Sequence, residues 1–136
     1  MPRRSRAREV VLQILYQDDL NSDLDRAGAT VFVNRRLHHD EELVRFARSL
    51  LDGVRRNRGE LDALLTETAD NWSLDRMAVT DRNVLRLGAY EILHTEMPDR
   101  VAINEAVELA KRFGAAQSAQ FVNGILDRFL QERPDR

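Results

Sequence analysis

The chain has 136 residues, 43% of them hydrophobic and 32% charged, with a formal net charge of -2. That is one domain's worth of sequence with enough apolar material for a real core. No apolar run approaches the roughly 18 residues a membrane helix needs, and nothing at the start resembles a signal peptide. Cysteine is absent, which excludes disulfides and thiolate metal sites and agrees with a cytoplasmic location.

The charge is unevenly spread. Arg3, Arg4, Arg6 and Arg8 all precede the first acidic residue, Glu9, whereas Asp18, Asp19, Asp23 and Asp25 follow soon after. The basic charge is therefore concentrated at one end, and Lys111 is the single lysine.

Ala7, Val11, Ile14 and Leu15 place an apolar stripe on a first helix, ending near Leu20 before the polar Asn21-Ser22-Asp23. Tyr16 lies about 170° from that stripe, pointing away from the core, and an exposed tyrosine suits an interface. Residues 21 to 40 are weakly patterned and hold Gly28 and His38-His39-Asp40. They predict a loop with a short helical piece over residues 26 to 37. Asp40 can cap a second helix with the face Leu43, Ala47, Leu50 and Val54, and a third carries Leu61, Leu64, Leu65 and Thr68. Asn71-Trp72-Ser73 interrupts the pattern, with Ser73 placed to cap a short turn through Met77. Thr80, with Asp81 in the first turn, opens a helix whose Val84, Leu85, Leu87, Ala89, Ile92 and Leu93 surround much of its circumference, predicting a central position.

Pro98 separates this helix from a terminal hairpin. Ile103, Ala106, Val107, Ala110 and Phe113 share one face, opposite Glu105, Glu108 and Lys111. Gly114 suits the left-handed residue that ends a helix. Val122, Ile125, Leu126 and Phe129 form the stripe of the next helix, and Phe121 sits about a quarter-turn from its centre. Asn123-Gly124 inside that helix costs about 1 kcal/mol relative to alanine. Two readings of these residues stand side by side. One is close helix packing at Gly124 with Phe121 at the edge of the core; the other is an aromatic set at the surface for a function.

No alternating strands or strand-joining turns occur, so the class is all-α, a single domain over residues 1–136. Catalytic signals are weak. His38 and His39 are adjacent and share no helical face, so with Asp40, Glu41 and Glu42 they make a solvated loop rather than a metal site. His94, near a helix end, fits dipole compensation. There is neither a phosphate-cradling glycine loop nor a nucleophile motif. The arginine-rich start and the polar, aromatic end together point to a small helical RNA-binding protein that uses no cofactor and no metal, not to an enzyme.

ARE-V-LQ-LY near the start, NWSLDRMAVTDRNVLRLGAYEIL in the middle and VAINEAVELAKRFG with FVNGILD at the end resemble the NusB family of transcription antitermination factors. The resemblance covers nearly the whole chain and is weakest over residues 21 to 40. It implies about seven helices in two packed three-helix bundles, an N-terminal subdomain over about 1–72 and a C-terminal one over about 73–136. It also implies binding of boxA in nascent ribosomal RNA transcripts together with NusE, a small-subunit ribosomal protein, so that RNA polymerase reads through terminators.

Carried over residue by residue, Arg3, Arg4, Arg6 and Arg8 match the family's N-terminal arginine motif, an arm often mobile until RNA orders it. Guanidinium groups clamp phosphates and stack on unpaired bases. Phe121 matches an aromatic near the RNA surface, while Gln117, Ser118 and Gln120 begin the same helix and offer hydrogen bonds; some members carry charge where Gln117 and Gln120 are neutral. Tyr16 and Asp81 match the NusE surface, although an acidic first-turn residue such as Asp81 already helps its own helix. Two other readings are a free-standing relative of the similar domain in ribosomal RNA cytosine methyltransferases, with no room for the catalytic domain, and a protein-interaction module. The latter includes a homodimer, because some relatives dimerise and cover the RNA surface.

Overall fold

A computed structural model of the chain describes residues 3–21, 26–70 and 72–133. Ser22, Asp23, Asp25 and Asn71 lie outside the described residues. Among those described there are seven α-helices, one short 3-10 turn and no strand, in line with the all-α expectation. The helices are α1 (Arg3–Leu20), α2 (Arg26–Arg36), α3 (Glu41–Arg56), α4 (Arg58–Thr68), α5 (Val79–His94), α6 (Asp99–Phe113) and α7 (Ser118–Gln131), with the 3-10 turn at Leu74–Arg76. They gather into two units, Met1–Arg55 and Arg56–Arg136. Helix α4 packs on α5 and α7 and so groups with the second unit.

In the first unit, α1 is buried well beyond a single stripe. Every residue from Ala7 to Leu12 is buried, followed by Ile14 and Leu15. The weakly patterned stretch does hold a helix, α2, whose Ala29 and Val33, with Leu37 just beyond it, are buried at four-residue spacing. His38 and His39 then take left-handed conformations, with φ of 55° and 57°, a region in which histidine is among the enriched residue types. Asp40 caps α3 as its position predicts, accepting the Leu43 N–H at 3.0 Å. That bond, reinforced by Arg3, holds the Asp40 carboxyl below its ordinary range. Arg55 grips both oxygens of Asp18 at 2.8 Å, tying the end of α3 to the end of α1.

The second unit is organised around α5, on which Asn83 to Ile92 are buried without a break. Helix α4 and the α6–α7 hairpin pack on it. Its buried Arg86 donates to both oxygens of Asp62 on α4 at 2.7 and 3.1 Å and to Asn83 Oδ1 at 3.0 Å. Two expected caps are different in fact. Ser73 precedes the 3-10 turn but makes no side-chain capping bond, and α5 starts at Val79, so Thr80 lies inside its first turn. The close approach between helices also falls elsewhere than expected. A Cβ at Gly124 would meet nothing within 4 Å, whereas one at Gly88 would lie 2.7 Å from Leu126 Cδ1 and 3.2 Å from Ala106 Cβ. The tight packing is therefore at Gly88 on α5, and Gly124 faces solvent.

The two glycines predict opposite signs. Gly88→Ala forces α6 or α7 outward and lowers stability by about 1–2 kcal/mol. Gly124→Ala gains helix propensity on an open face and raises stability by about 0.5–1 kcal/mol. Denaturant midpoints of the two variants check this; equal signs would mean that α5 does not set the packing.

Candidate nucleic-acid interface

The basic end of α1 is a helix from Arg3 onward rather than an extended arm. Arg3 and Arg4 are exposed and Arg6 is half-buried, but only 2% of Arg8 is accessible. Arg3 pairs with the Asp40 carboxylate. The guanidinium groups of Arg4 and Arg8 lie over the Phe46 ring, 4.6 and 5.1 Å from its centroid. Arg8 thus belongs to the core of its unit, whereas the sequence grouped it with Arg3, Arg4 and Arg6 in one RNA-binding motif. Its guanidinium lies over an aromatic ring on α3. Arg3, Arg4 and Arg6 remain at the surface. Tyr16, on the same helix, is 37% exposed, as its angular position predicts.

In the second unit the turn between α6 and α7 builds a cleft of about 470 Å³. Gly114 ends α6, yet in an extended conformation (φ -94°, ψ -171°) instead of the left-handed one expected. Glycine is needed there for space: a Cβ would sit 2.5 Å from Ser118 Oγ and 2.8 Å from the Ala110 carbonyl oxygen. Ser118 is buried, and its Oγ accepts the Ala115 N–H at 2.9 Å. Its hydroxyl therefore holds the turn closed. Gln117 and Gln120, by contrast, are exposed on the cleft wall with amides that make no hydrogen bond among the described residues.

Phe121 is half-buried at the mouth of the same cleft. Its ring meets Trp72 edge-to-face, with centroids 5.5 Å apart and planes at 75°. Trp72 is 56% exposed. The 3-10 turn contributes Arg76, exposed, and the start of α5 contributes Asp81, whose Oδ1 is enclosed without a hydrogen-bond partner among the described residues. Sequence reasoning placed Gln117, Ser118, Gln120 and Phe121 together on one helix and Asp81 apart from them; the fold brings all five to one cleft. It missed Trp72 and Arg76, which entered only as an interruption between helices. The available signal was that the single tryptophan of the chain stands where no helical stripe requires it.

The chemistry of the cleft is that of binding. It offers π faces, amides that donate and accept, one cation and one unsatisfied carboxylate oxygen. Among the described residues no group of three or more histidine, aspartate or glutamate side chains is arranged to hold a metal. His94 instead shares a hydrogen bond of 2.7 Å with Glu60.

A family model described as the NusB family matches residues 5–131. The transcription antitermination protein NusB of Anaeromyxobacter dehalogenans (strain 2CP-1 / ATCC BAA-258) is 42% identical over 132 residues, covering 97% of this chain and 93% of its own. The structure of T. maritima NusB superposes with a TM-score of 0.85 at 39% identity, covering 97% of this chain and 92% of that one. A crystal structure of the antitermination factors NusB and NusE in complex with double-stranded RNA superposes with a TM-score of 0.78 at 25% identity, covering 97% and 98%.

The geometry of the α6–α7 turn yields its own prediction. Gly114→Ala presses on a backbone carbonyl that cannot swing away, so it costs about 2–3 kcal/mol. Ser118→Ala loses one neutral hydrogen bond and costs about 1 kcal/mol. Thermal unfolding of the two variants reads the difference; a larger loss for Ser118→Ala would show that the hydroxyl, and not the space at Gly114, holds the turn.

Proposed function

The chain belongs to the NusB family, and from that membership and the cleft we propose that it is an RNA-binding subunit of transcription antitermination. In this reading it recognises boxA in nascent ribosomal RNA transcripts together with NusE and supports read-through by RNA polymerase. It works in the cytoplasm as a binding protein, with no catalytic step and no cofactor. The observation that carries the reading is Phe121. Its ring is half-exposed on α7 and held in place by Trp72, beside the unengaged amides of Gln117 and Gln120.

Each group then has a physical role. Phe121 stacks an unpaired base, while Gln117 and Gln120 hydrogen-bond base edges or phosphate. Ser118 fixes the turn that presents them. Arg3, Arg4 and Arg6 supply phosphate contacts from the basic end of α1, where Arg8 braces the helix through Phe46. Tyr16 and Asp81 serve the protein partner. Asp81 lines the cleft, and its carboxylate suits a basic ribosomal protein.

Single-stranded boxA-like RNA is expected to bind more tightly than a scrambled strand, and more tightly still with NusE present. Affinity should fall with salt at about 0.7 logarithmic units per phosphate contact. Phe121→Ala should weaken binding by about tenfold with little change in melting temperature; marked unfolding would instead make Phe121 an edge-of-core residue. Tyr16→Asp should lower NusE affinity in a folded protein. Equal binding of boxA and scrambled RNA in the presence of NusE would sink the reading, and sedimentation of the same samples tests the alternative of a homodimer that covers its own surface.

A further inference from the structure

We infer that Trp72 is a second base-stacking platform, and that the cleft takes two successive unpaired nucleotides, one on Trp72 and one on Phe121, with Arg76 neutralising phosphate beside them. This rests on the RNA-binding reading above.

A single exposed apolar side chain is ordinary on a protein surface. Trp72 is in a different position. It is the largest side chain of the chain, 56% exposed, and it stands against the one aromatic already argued to meet RNA. The 75° between the ring planes means that neither ring covers the other face-to-face, so broad π surface stays open on both. Stacking on π faces is how single-stranded nucleic acid is held without dependence on base identity. Bases resting on two nearly perpendicular rings cannot also stack on each other. The cleft therefore selects unpaired, splayed nucleotides and excludes a continuous A-form helix at this spot.

Arg76 makes the occupant a nucleic acid rather than an apolar peptide. It is exposed on the cleft wall, and its guanidinium makes no hydrogen bond or ion pair among the described residues. A free guanidinium beside two aromatic faces pairs with phosphate in the pattern of strand-binding grooves. Asp81, on the same cleft, disfavours phosphate near its own carboxylate, which leaves the backbone to Arg76 and the base faces to the rings.

Trp72 also reports on itself, being the only tryptophan. The test titrates the full chain, with and without its ribosomal-protein partner, with boxA-like single-stranded RNA, and follows both tryptophan emission and the anisotropy of labelled RNA. Quenching should saturate with the same Kd as anisotropy. Trp72→Ala should raise Kd by about 5- to 50-fold at unchanged melting temperature, and Trp72→Phe should recover most of the loss. Arg76→Gln should flatten the salt slope by about 0.7. A duplex of the same sequence should leave the emission unchanged.

If RNA binds by anisotropy while emission is unaffected and Trp72→Ala binds equally well, the inference fails and the RNA-binding reading stands. No RNA binding under either condition removes both. A Trp72→Ala variant that loses only the protein partner would assign the ring to that partner and overturn the inference. Should Trp72→Ala not fold, protection of wild-type Trp72 from acrylamide by RNA decides: protection supports stacking, and its absence overturns it.

Discussion

The approach of helices at Gly88 governs the second unit. The α6–α7 hairpin buries Ile103, Ala106, Val122 and Leu126, and at Gly88 there is no room for even one methyl group between α5 and Leu126. Close-packed interiors resist such an intrusion, so the distance between α5 and the hairpin is fixed by sequence at a single residue. Fixing α7 also fixes its rotation. With Val122 and Leu126 turned fully inward, the preceding residue, Phe121, is left at the margin. The surface position of the aromatic is thus a consequence of core packing a turn away.

A set of polar bonds then brings Trp72 to meet it. Arg86, buried on α5, holds Asp62 on α4 through two bonds, a geometry that specifies direction as well as attraction. At the far end of α4, Thr68 donates to Glu132 at 2.7 Å and Arg128 reaches Asp70 at 2.8 Å. The exposed Arg128 pair adds little stability by itself. Its value is positional, because it anchors to α7 the segment that immediately precedes Trp72. Trp72, beyond the end of α4, and Phe121 on α7 meet at 5.5 Å because α4 and its exit are fastened to α5 and α7.

What the sequence made legible follows the same division. Periodicity exposes what repeats, so α1, α3, α5 and the terminal hairpin were readable, along with the Asp40 cap and the outward direction of Tyr16. Groups whose role depends on a neighbour distant in sequence were not readable. Gly124 looked like the packing glycine because it interrupts a helix, but only the three-dimensional neighbours of Gly88 reveal where a Cβ cannot fit. Arg8 looked like one of four equal arginines until Phe46, far along the chain, claimed it. Gly114 was assigned to the end of α6 correctly and for the wrong reason, since its backbone is extended and Ser118 occupies the space a side chain would need. Trp72 broke a pattern, and a broken pattern carries no direction.

These local engagements bear on how the protein would hold RNA. Guanidinium groups at the start of α1 are partly spoken for: Arg3 faces Asp40, Arg8 is buried, and the whole chain carries a net charge of -2. Non-specific binding to nucleic acid grows with each phosphate neutralised, so a protein with a net charge of -2 gains little from overall charge alone. On the proposed reading, the deficit has two remedies that act together. Stacking on exposed rings supplies energy that does not depend on net charge and rejects paired RNA. A basic partner seated against acceptors such as Asp81 adds the phosphate contacts that this chain lacks, which makes RNA affinity conditional on assembly. Weak attraction to RNA in general and strong attraction only in the right company is the behaviour a transcription factor needs among abundant unrelated transcripts.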